Sequence, residues 1–167
     1  MPSLQAMSRV TEFWQDLKAW EAAGIVPVFA VGNRGPRSGS LSSPGSFPHV
    51  IAVGSTDSQN QVAWFSSRGP ATWNGTSFIK PDLVAPGVRI RSTSLNGSTR
   101  LMSGTSMATP HVTGVIALMR SVKPSLTVAE IRDALERTSR RGAGKPNNAF
   151  GHGLVDALGA VDRVADS

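Results

Sequence analysis

The sequence predicts an α/β fold, a three-layer sandwich in which helices cover both faces of a mainly parallel sheet. Three observations favour it. Short apolar runs, typical of buried parallel strands, alternate with segments in which apolar residues recur at helical spacing. The 167 residues suffice for one domain with a substantial core. They contain no internal repeat, low-complexity tract or linker that would divide them.

The first half of the chain predicts one helix, two strands and a region of turns. The helix has an apolar face formed by Val10, Phe13, Leu17 and Trp20. Gly24 can end this helix, and the mostly apolar run Ile25–Val31 follows as a buried strand. Val50–Gly54 is a second short strand. Residues 55–80 are polar and carry the turn signal Asn74-Gly75, so they predict loops and a hairpin.

The second half predicts two further strands and three helices. The strands are Leu83–Ala85 and Val88–Thr93, and Asn96-Gly97 is a hairpin signal that leads into the next helix. A capping-box pattern at 127–130 marks the start of an amphipathic helix. The last helix is predicted to begin at Leu154.

Residues Ser103–Gly114 place a serine where a glycine turn becomes the first turn of an apolar helix. The Ser106 hydroxyl would lie at the helix N-terminus, among N–H groups that stabilise developing negative charge. Beyond it, apolar residues recur at helical spacing at Ala108, Val112, Val115, Ile116 and Met119. Small Thr113 and Gly114 indicate close packing, so the helix is expected to be buried and to hold Ser106 rigidly.

The segment G-T-S-M-A-T-P-H-V-T-G resembles, almost letter for letter, the nucleophile motif of the subtilases, the subtilisin-like serine proteases. Further stretches resemble family landmarks in the family's order, namely 28–36, 44–55, 65–70, 80–87 and 151–157. The resemblance covers nearly the whole chain. It implies a subtilisin-like fold and a serine endopeptidase that acts on polypeptide substrates through an acyl-enzyme on Ser106.

The acid and the base of the family's triad are not found in this chain. The triad runs Asp, His, Ser, so both should lie well upstream of Ser106. The nearest match to the aspartate motif, Asp57-Ser58-Gln59, lies too late in the chain, and the histidine motif H-G-T-H is absent. Residues 1–167 are therefore interpreted as a partial catalytic domain that lacks its N-terminal half. The fragment is expected to be inactive alone and to have that half as its partner.

Asn33 is the predicted oxyanion-hole residue. It follows the Ile25–Val31 strand, and ligands of open α/β sheets bind at the carboxyl ends of strands. Its amide would donate to the oxyanion together with the Ser106 N–H. The resemblance also implies a pocket for one substrate side chain, lined by Ala30, Val31, Gly32, Ser43, Pro44 and Gly45. At the Ser43-Pro44 position the family often has a cis peptide.

The three histidines are candidate substitute bases. His111 lies five residues after Ser106 on the same helix, so the side chains point about 140° apart and lie about 7.5 Å apart along the axis. His111 is therefore predicted to be a packed core histidine with one satisfied nitrogen. His49 and His152 are predicted to be loop residues.

The sequence leaves two alternative functions open. Gly104–Ala108 is one substitution from the G-x-S-x-G elbow of α/β-hydrolase esterases, and Ser106, Asp133 and His152 follow that family's triad order. Against it, residues 97–102 are not an apolar strand, and Asp133 lies on the outer face of a helix. The second alternative is a pseudoprotease or binding module, because a nucleophile and an oxyanion donor without a base do not make a protease.

Composition limits the remaining classes. Without cysteine, disulfides and thiolate metal sites are excluded, and no apolar run approaches the ~20 residues of a membrane span. No signal-peptide pattern is visible, while the resemblance implies an extracellular protein and allows a structural calcium ion. The net charge of +6 is mild. The basic cluster follows a predicted helix and consists of Arg137, Arg140, Arg141 and Lys145. This position favours compensation of the helix dipole over nucleic-acid binding.

Overall fold

The computed structural model describes residues 4–140 and 146–166, with side chains from residue 13 onward. The helices in these ranges are α1 (Leu4–Ala22), α2 (Thr105–Val122), α3 (Val128–Thr138) and α4 (Ala157–Ala165). The strands are β1 (Val28–Ala30), β2 (Ile51–Thr56), β3 (Ala71–Trp73), β4 (Thr76–Phe78), β5 (Leu83–Pro86), β6 (Ile90–Thr93) and β7 (Thr99–Met102). None of the described helices is long and apolar enough to cross a membrane.

A parallel sheet with the strand order β1-β2-β5 forms the middle layer. In its register, Val28 lies opposite Ile51, and Val53 lies opposite Leu83. Every residue of the central strand β2 is buried, as expected for a parallel strand covered on both faces. The predicted strands at 25–31, 50–54 and 83–85 are thus confirmed as members of one sheet.

Each face of the sheet has its own hydrophobic core, so the predicted three-layer α/β architecture is confirmed. The larger core joins the sheet to α2, α3 and α4, and α2 crosses all three strands. Its sheet side includes Ile51 and Val53. The smaller core lies under α1 and consists of Leu17, Val31, Phe47, Val50 and Ala52. The alternation along β2 therefore directs successive side chains to opposite layers.

Helix α1 covers the sheet with the face that the sequence predicts. Leu17 is fully buried, and the Phe13 ring packs edge-on against Phe29 at 6.1 Å. Trp20 lies at the margin of this face and is partly exposed, and the Val10 side chain is outside the described part of the chain. Gly24 adopts φ 75° and donates its N–H to Glu21, which ends the helix as expected.

Both predicted hairpins are present. Asn74 and Gly75 have φ values of 48° and 78° and join β3 to β4, which is the turn that an Asn-Gly pair favours. The chain also reverses at Asn96-Gly97, between β6 and β7.

The strand predicted at Val88–Thr93 does not belong to the parallel sheet. It forms β6, which pairs antiparallel with β7, and all residues of these two strands except Ile90 are exposed. The physical reason is the bend after β5, where Arg89 adopts φ 55° and directs the chain away from the sheet.

The start of α3 is predicted correctly and the start of α4 is not. The Thr127 hydroxyl accepts from the Glu130 N–H at 3.2 Å, and the Glu130 carboxylate accepts from the Thr127 N–H at 2.8 Å, which completes the capping box. Helix α4 begins at Ala157, because Asp156 caps it by accepting from the Gly159 N–H. Leu154, the predicted first residue, is extended and bonded to Arg140.

The basic cluster is only partly described. Arg137 lies in the last turn of α3 and pairs with Asp133, and Arg140 pairs with Asp156 at 2.8 Å. Arg141 and Lys145 lie outside the described residues. The two described members therefore bind carboxylates on this chain.

Candidate active site

Ser106 lies at the carboxyl edge of the parallel sheet, in the first turn of α2. The preceding Gly104 has φ 157° and ψ 160°, a backbone conformation that essentially only glycine adopts. Its N–H donates to Gly87 at 2.8 Å, and Gly87 directly follows β5. The turn is thus tied to the end of a sheet strand, and the Ser106 side chain is exposed at that edge.

Asn33 is held in one orientation by the residue before the serine. Its Oδ1 accepts from the Thr105 backbone N–H at 2.9 Å and from the Thr105 hydroxyl at 3.0 Å. A backbone N–H can only donate, so these bonds identify the oxygen end of the amide. The Nδ2 end is therefore directed away from Thr105.

The two predicted oxyanion donors border one small space. A methyl group built on Gly104 would lie 3.6 Å from Asn33 Nδ2 and 3.8 Å from the backbone nitrogen of Ser106. Both nitrogen atoms therefore lie within 4 Å of one point beside Gly104. The structure thus brings together the residues that the sequence singles out.

Sequence reasoning missed Thr105. Its side chain is fully buried although it is polar, and both of its donors serve Asn33, which lies 72 positions earlier. The sequence signal that could have identified Thr105 was its position directly before Ser106, at the start of α2. Only the folded chain reveals what its hydroxyl contacts.

The two segments of the predicted side-chain pocket lie side by side. The Ser42 N–H donates to Val31 at 2.8 Å, and a methyl group on Gly45 would lie 2.4 Å from the Ala30 oxygen. Ser43-Pro44 is cis, as expected. The Val31 side chain is fully buried against α1, so only its main chain is placed to line a pocket.

The prediction for His111 is wrong in one respect. Its Nδ1 donates to the Met107 carbonyl at 2.8 Å, so one nitrogen is satisfied, but the side chain is exposed rather than packed in the core. His49 and His152 lie in loops as predicted and contact Glu21 and Glu136. Among the residues that the structure describes, no histidine forms a hydrogen bond with the Ser106 hydroxyl.

Helix α2 is buried on only one side, so the prediction of a buried helix is half right. Ala108, Val112 and Met119 are fully buried against the sheet. The opposite face is exposed, with Leu118 at 53% and Val122 at 49% of full exposure. It also contains Pro110, His111, Thr113 and Gly114. The small residues that were expected to permit close packing face no other described element.

A groove opens beside Ser106, between hairpin β6–β7 and this exposed face. Its lining consists of Ile90, Arg91, Ser92, Ser106, Met107, Pro110 and His111. The exposed Ser106 side chain is therefore accessible from this groove.

The opposite edge of the sheet contains a buried ion cluster that the sequence did not predict. The Lys80 ammonium is 1% exposed and donates to Asp82 at 2.5 Å and to the Val50 carbonyl at 2.8 Å. Asp82 also accepts from the Ala52 N–H at 2.6 Å and from Arg132 at 3.3 Å. Burial lowers the pKa of Lys80, and Asp82 opposes this effect. The cluster fixes the amino ends of β2 and β5.

The described residues contain no carboxylate cluster of the kind that commonly binds calcium. Calcium takes six to eight oxygen ligands, usually with several carboxylates. No group of three or more His, Cys, Asp or Glu residues that could hold a metal occurs in the described ranges. Asp82, a buried carboxylate, already accepts from Lys80 and Arg132.

Comparison with known proteins identifies the family of this chain. The family model described as "Subtilase family" matches residues 3–153. Bacillopeptidase F of Bacillus subtilis (strain 168) is 41% identical over 173 residues, which cover 95% of this chain and 12% of that protein. The human membrane-bound transcription factor site-1 protease is 38% identical over 86% of this chain and 14% of its own length.

Two further matches cover more of the other chain. Serine protease AprX of Bacillus subtilis (strain 168) is 39% identical, over 86% of this chain and 36% of that protein. The solved structure of the prenylagaramide maturation protease PagA superposes with a TM-score of 0.80 at 28% identity, over 92% of this chain and 56% of that one. This chain thus spans only part of the length of these proteins, and it belongs to the subtilase family.

Proposed function

We propose that residues 1–167 form the C-terminal half of the catalytic domain of a subtilisin-type serine endopeptidase. The Ser106 oxygen attacks the carbonyl carbon of a substrate peptide bond, the C–N bond breaks, and the acyl group remains as an ester on Ser106. Water then hydrolyses the ester and restores the hydroxyl. The observation that carries this proposal is the pair of hydrogen bonds from Thr105 that fixes the Asn33 amide, whose nitrogen lies near the same point beside Gly104 as the Ser106 nitrogen.

The two donors act on the charge that develops during attack. The substrate carbonyl oxygen becomes negative in the tetrahedral intermediate, and Asn33 Nδ2 and the Ser106 N–H donate to it. Because the Asn33 amide is already fixed, little reorganisation is required at the moment of reaction. In subtilisin, loss of the oxyanion-hole asparagine lowers turnover by about 10²–10³, and that known magnitude is adopted for Asn33.

The base must come from outside the described residues. A serine hydroxyl is overwhelmingly protonated at neutral pH, and positioning alone does not remove the proton. We therefore assign the aspartate and the histidine of the triad to an N-terminal half. The groove beside Ser106 gives a histidine access to the hydroxyl, and the exposed face of α2 offers apolar surface that such a half would cover.

The open edge of the sheet also supports an N-terminal half as the partner. Within the described ranges, β1 pairs only with β2, so its other edge is open. An open parallel edge presents unpaired N–H and C=O groups that a further strand can bind. The N-terminal half would extend the sheet beyond β1.

The esterase alternative receives no support from the geometry. Asp133 pairs with Arg137 and Arg163, and His152 contacts Glu136. Strand β7, which precedes the serine turn, is an exposed hairpin strand rather than a buried parallel one.

The decisive experiment measures peptide hydrolysis by the purified chain with and without an N-terminal half that contains the D-T-G and H-G-T-H motifs. Hydrolysis is expected only when both halves are present, and Ser106→Ala should abolish it. Robust Ser106-dependent turnover by the isolated chain would reveal a base that the proposal omits. An assembled but inactive pair would favour the pseudoprotease or binding module.

The location proposed for the whole protein is extracellular, on the strength of the family resemblance. An antibody against this chain should detect the protein in the culture medium of the source cells. Retention of all of it inside the cells would contradict the assignment.

A further inference from the structure

The two peptide groups that flank Asn33 bind one and the same residue. The carbonyl of Gly32, on the N-terminal side, accepts from the Ser67 backbone N–H at 2.9 Å. The N–H of Arg34, on the C-terminal side, donates to the Ser67 hydroxyl at 3.0 Å. Ser67 lies in the loop between β2 and β3, far from Asn33 in the sequence. A single residue therefore fixes the backbone on both sides of Asn33.

Ser67 is fully buried although it is polar. Burying a hydroxyl costs free energy unless the group is hydrogen-bonded, and the N–H of Arg34 meets this requirement. The two segments also pack closely, since a methyl group built on Gly32 would lie 3.0 Å from the Ser67 hydroxyl oxygen. Gly32 itself adopts φ 106°. The loop that carries Asn33 thus has little room to shift against Ser67.

The segment that carries Ser67 is itself fastened to the central strand. The Ser66 hydroxyl accepts from the Ser55 N–H at 3.1 Å, and the Ala63 N–H donates to the Ser55 carbonyl at 2.8 Å. Ser55 belongs to β2, which is buried along its whole length and paired on both sides. Ser67 therefore connects the backbone of Asn33 to the strand at the centre of the sheet.

The side-chain end of Asn33 is held separately, by Thr105. Its two hydrogen bonds fix the position of Asn33 Oδ1. Two rotatable bonds lie between the Cα atom and the amide, so the direction of Nδ2 also depends on where the backbone lies. With Oδ1 fixed by Thr105 and the backbone fixed by Ser67, Nδ2 has little freedom. An oxyanion donor acts most strongly when it is already in place as the charge develops.

We propose that Ser67 is a positioning residue for catalysis, which holds the backbone of Asn33 so that its amide nitrogen faces the developing oxyanion. The inference rests on the proposed function of this site. Ser67 acts through Asn33 and not on the substrate. Its effect on turnover therefore differs from a general contribution to stability, and the two can be measured separately.

The kinetic test is Ser67→Ala in the two-half domain. This change removes the hydroxyl but keeps the backbone N–H bond to Gly32. The loss of one hydrogen bond should lower kcat about twofold to tenfold. KM should change little, because the oxyanion forms only in the transition state. Circular dichroism verifies that the variant is folded.

The matched control is Ser66→Ala. Its hydroxyl is as fully buried as that of Ser67 and comes from the adjacent position, but it binds β2 rather than the loop of Asn33. Urea titration should show a similar loss of stability in the two variants. Only Ser67→Ala should lose turnover, and Ser66→Ala should keep kcat and KM close to those of the unaltered protein.

A double substitution tests whether Ser67 acts through Asn33. Once Asn33 is replaced by alanine, there is no amide left to position. Ser67→Ala should then cause no further loss of kcat in the Asn33→Ala background, so the two effects should not add. A loss of the same size in both backgrounds would mean that Ser67 acts by another route, and would overturn the inference.

Hydrogen exchange in the isolated 167-residue chain needs no activity. The Arg34 amide should exchange more slowly in the folded chain than in an unstructured peptide of the same local sequence, because a buried hydroxyl accepts its hydrogen bond. Ser67→Ala should speed this exchange and Ser66→Ala should not. NMR detects both changes. Fast exchange in the unaltered chain would overturn the inference without any variant.

The two assays separate this inference from the proposed function. Ser106-dependent hydrolysis that Ser67→Ala leaves unchanged, or that Ser66→Ala reduces equally, would refute the inference alone. Slow Arg34 exchange in an assembled pair that does not hydrolyse peptides would refute the proposed function, and with it the catalytic part of the inference.

Discussion

Thr105→Val should weaken catalysis only modestly, because it removes one of two hydrogen bonds that orient Asn33. The hydroxyl bond to Oδ1, 3.0 Å long, is lost, while the backbone N–H bond of 2.9 Å remains. Valine has nearly the shape of threonine, so the fully buried site stays filled. Asn33 Oδ1 keeps one donor and is not left unsatisfied.

The magnitude follows from these contacts. One hydrogen bond contributes about 0.5–1.5 kcal/mol net, which corresponds to a loss of about twofold to tenfold in kcat. Asn33→Ala, which removes the donor itself, should cost about 10²–10³. KM should change little in both variants, because the oxyanion forms only in the transition state.

The assay is steady-state hydrolysis by the two-half domain, with Thr105→Ser as the matched control that keeps the hydroxyl. Thr105→Ser should stay close to the unaltered protein in kcat. Equal losses in the serine and valine variants would mean that the methyl group matters rather than the hydroxyl. A valine variant as impaired as Asn33→Ala would refute the idea that the backbone N–H still orients the amide.

Three further predictions concern the isolated chain. Lys80→Met should lower the free energy of unfolding by about 3 kcal/mol, because it removes the ammonium partner of the buried Asp82 and leaves Arg132 as its remaining ion-pair partner. Urea titration measures this, and a loss below about 1 kcal/mol would contradict it. Burial raises the pKa of Glu136 although His152 opposes the shift, so the folded state binds more protons than the unfolded state in a window above pH 4.5. The stabilisation from this carboxyl is present below its unfolded pKa and is lost as the pH rises through its folded pKa. Over that rise, the free energy of unfolding of Glu136→Gln should therefore increase relative to that of the unaltered chain. A relative increase that appears only at lower pH would reverse the assigned sign. Thr127→Ala should cost about 1 kcal/mol through loss of the helix cap, whereas Thr127→Ser should cost much less, and equal costs for the two would count against the capping role.

Local signals made much of the fold predictable. The apolar runs around β2 and β5, the Asn74-Gly75 turn and the capping box each depend on a few neighbouring residues, and the structure contains all of them. The prediction that α2 is buried failed for a different reason. The exposed face of α2 has the small residues typical of close packing, and nothing in its own sequence says whether another element covers it.

The candidate site could likewise be predicted only in part. Asn33 and Ser106 could be singled out from strand-end and helix-start positions, and from the resemblance. The bonds between Asn33 and Thr105 could not, because they join positions 72 apart and exist only after β1 and α2 pack together. The Lys80 ammonium likewise needs the Val50 carbonyl, which is 30 residues away.

Asn33 stays next to Ser106 only while β1 remains in contact with α2. β1 has three residues and pairs on one side within the described ranges, whereas β2 is paired on both sides and fully buried. Short edge elements open at lower free energy than the central ones. An opening that detaches β1 carries Asn33 away and leaves Ser106 on an intact helix. In the isolated chain, the β1 amides should therefore exchange hydrogen faster than the β2 amides, and an N-terminal half that pairs with β1 should slow this exchange.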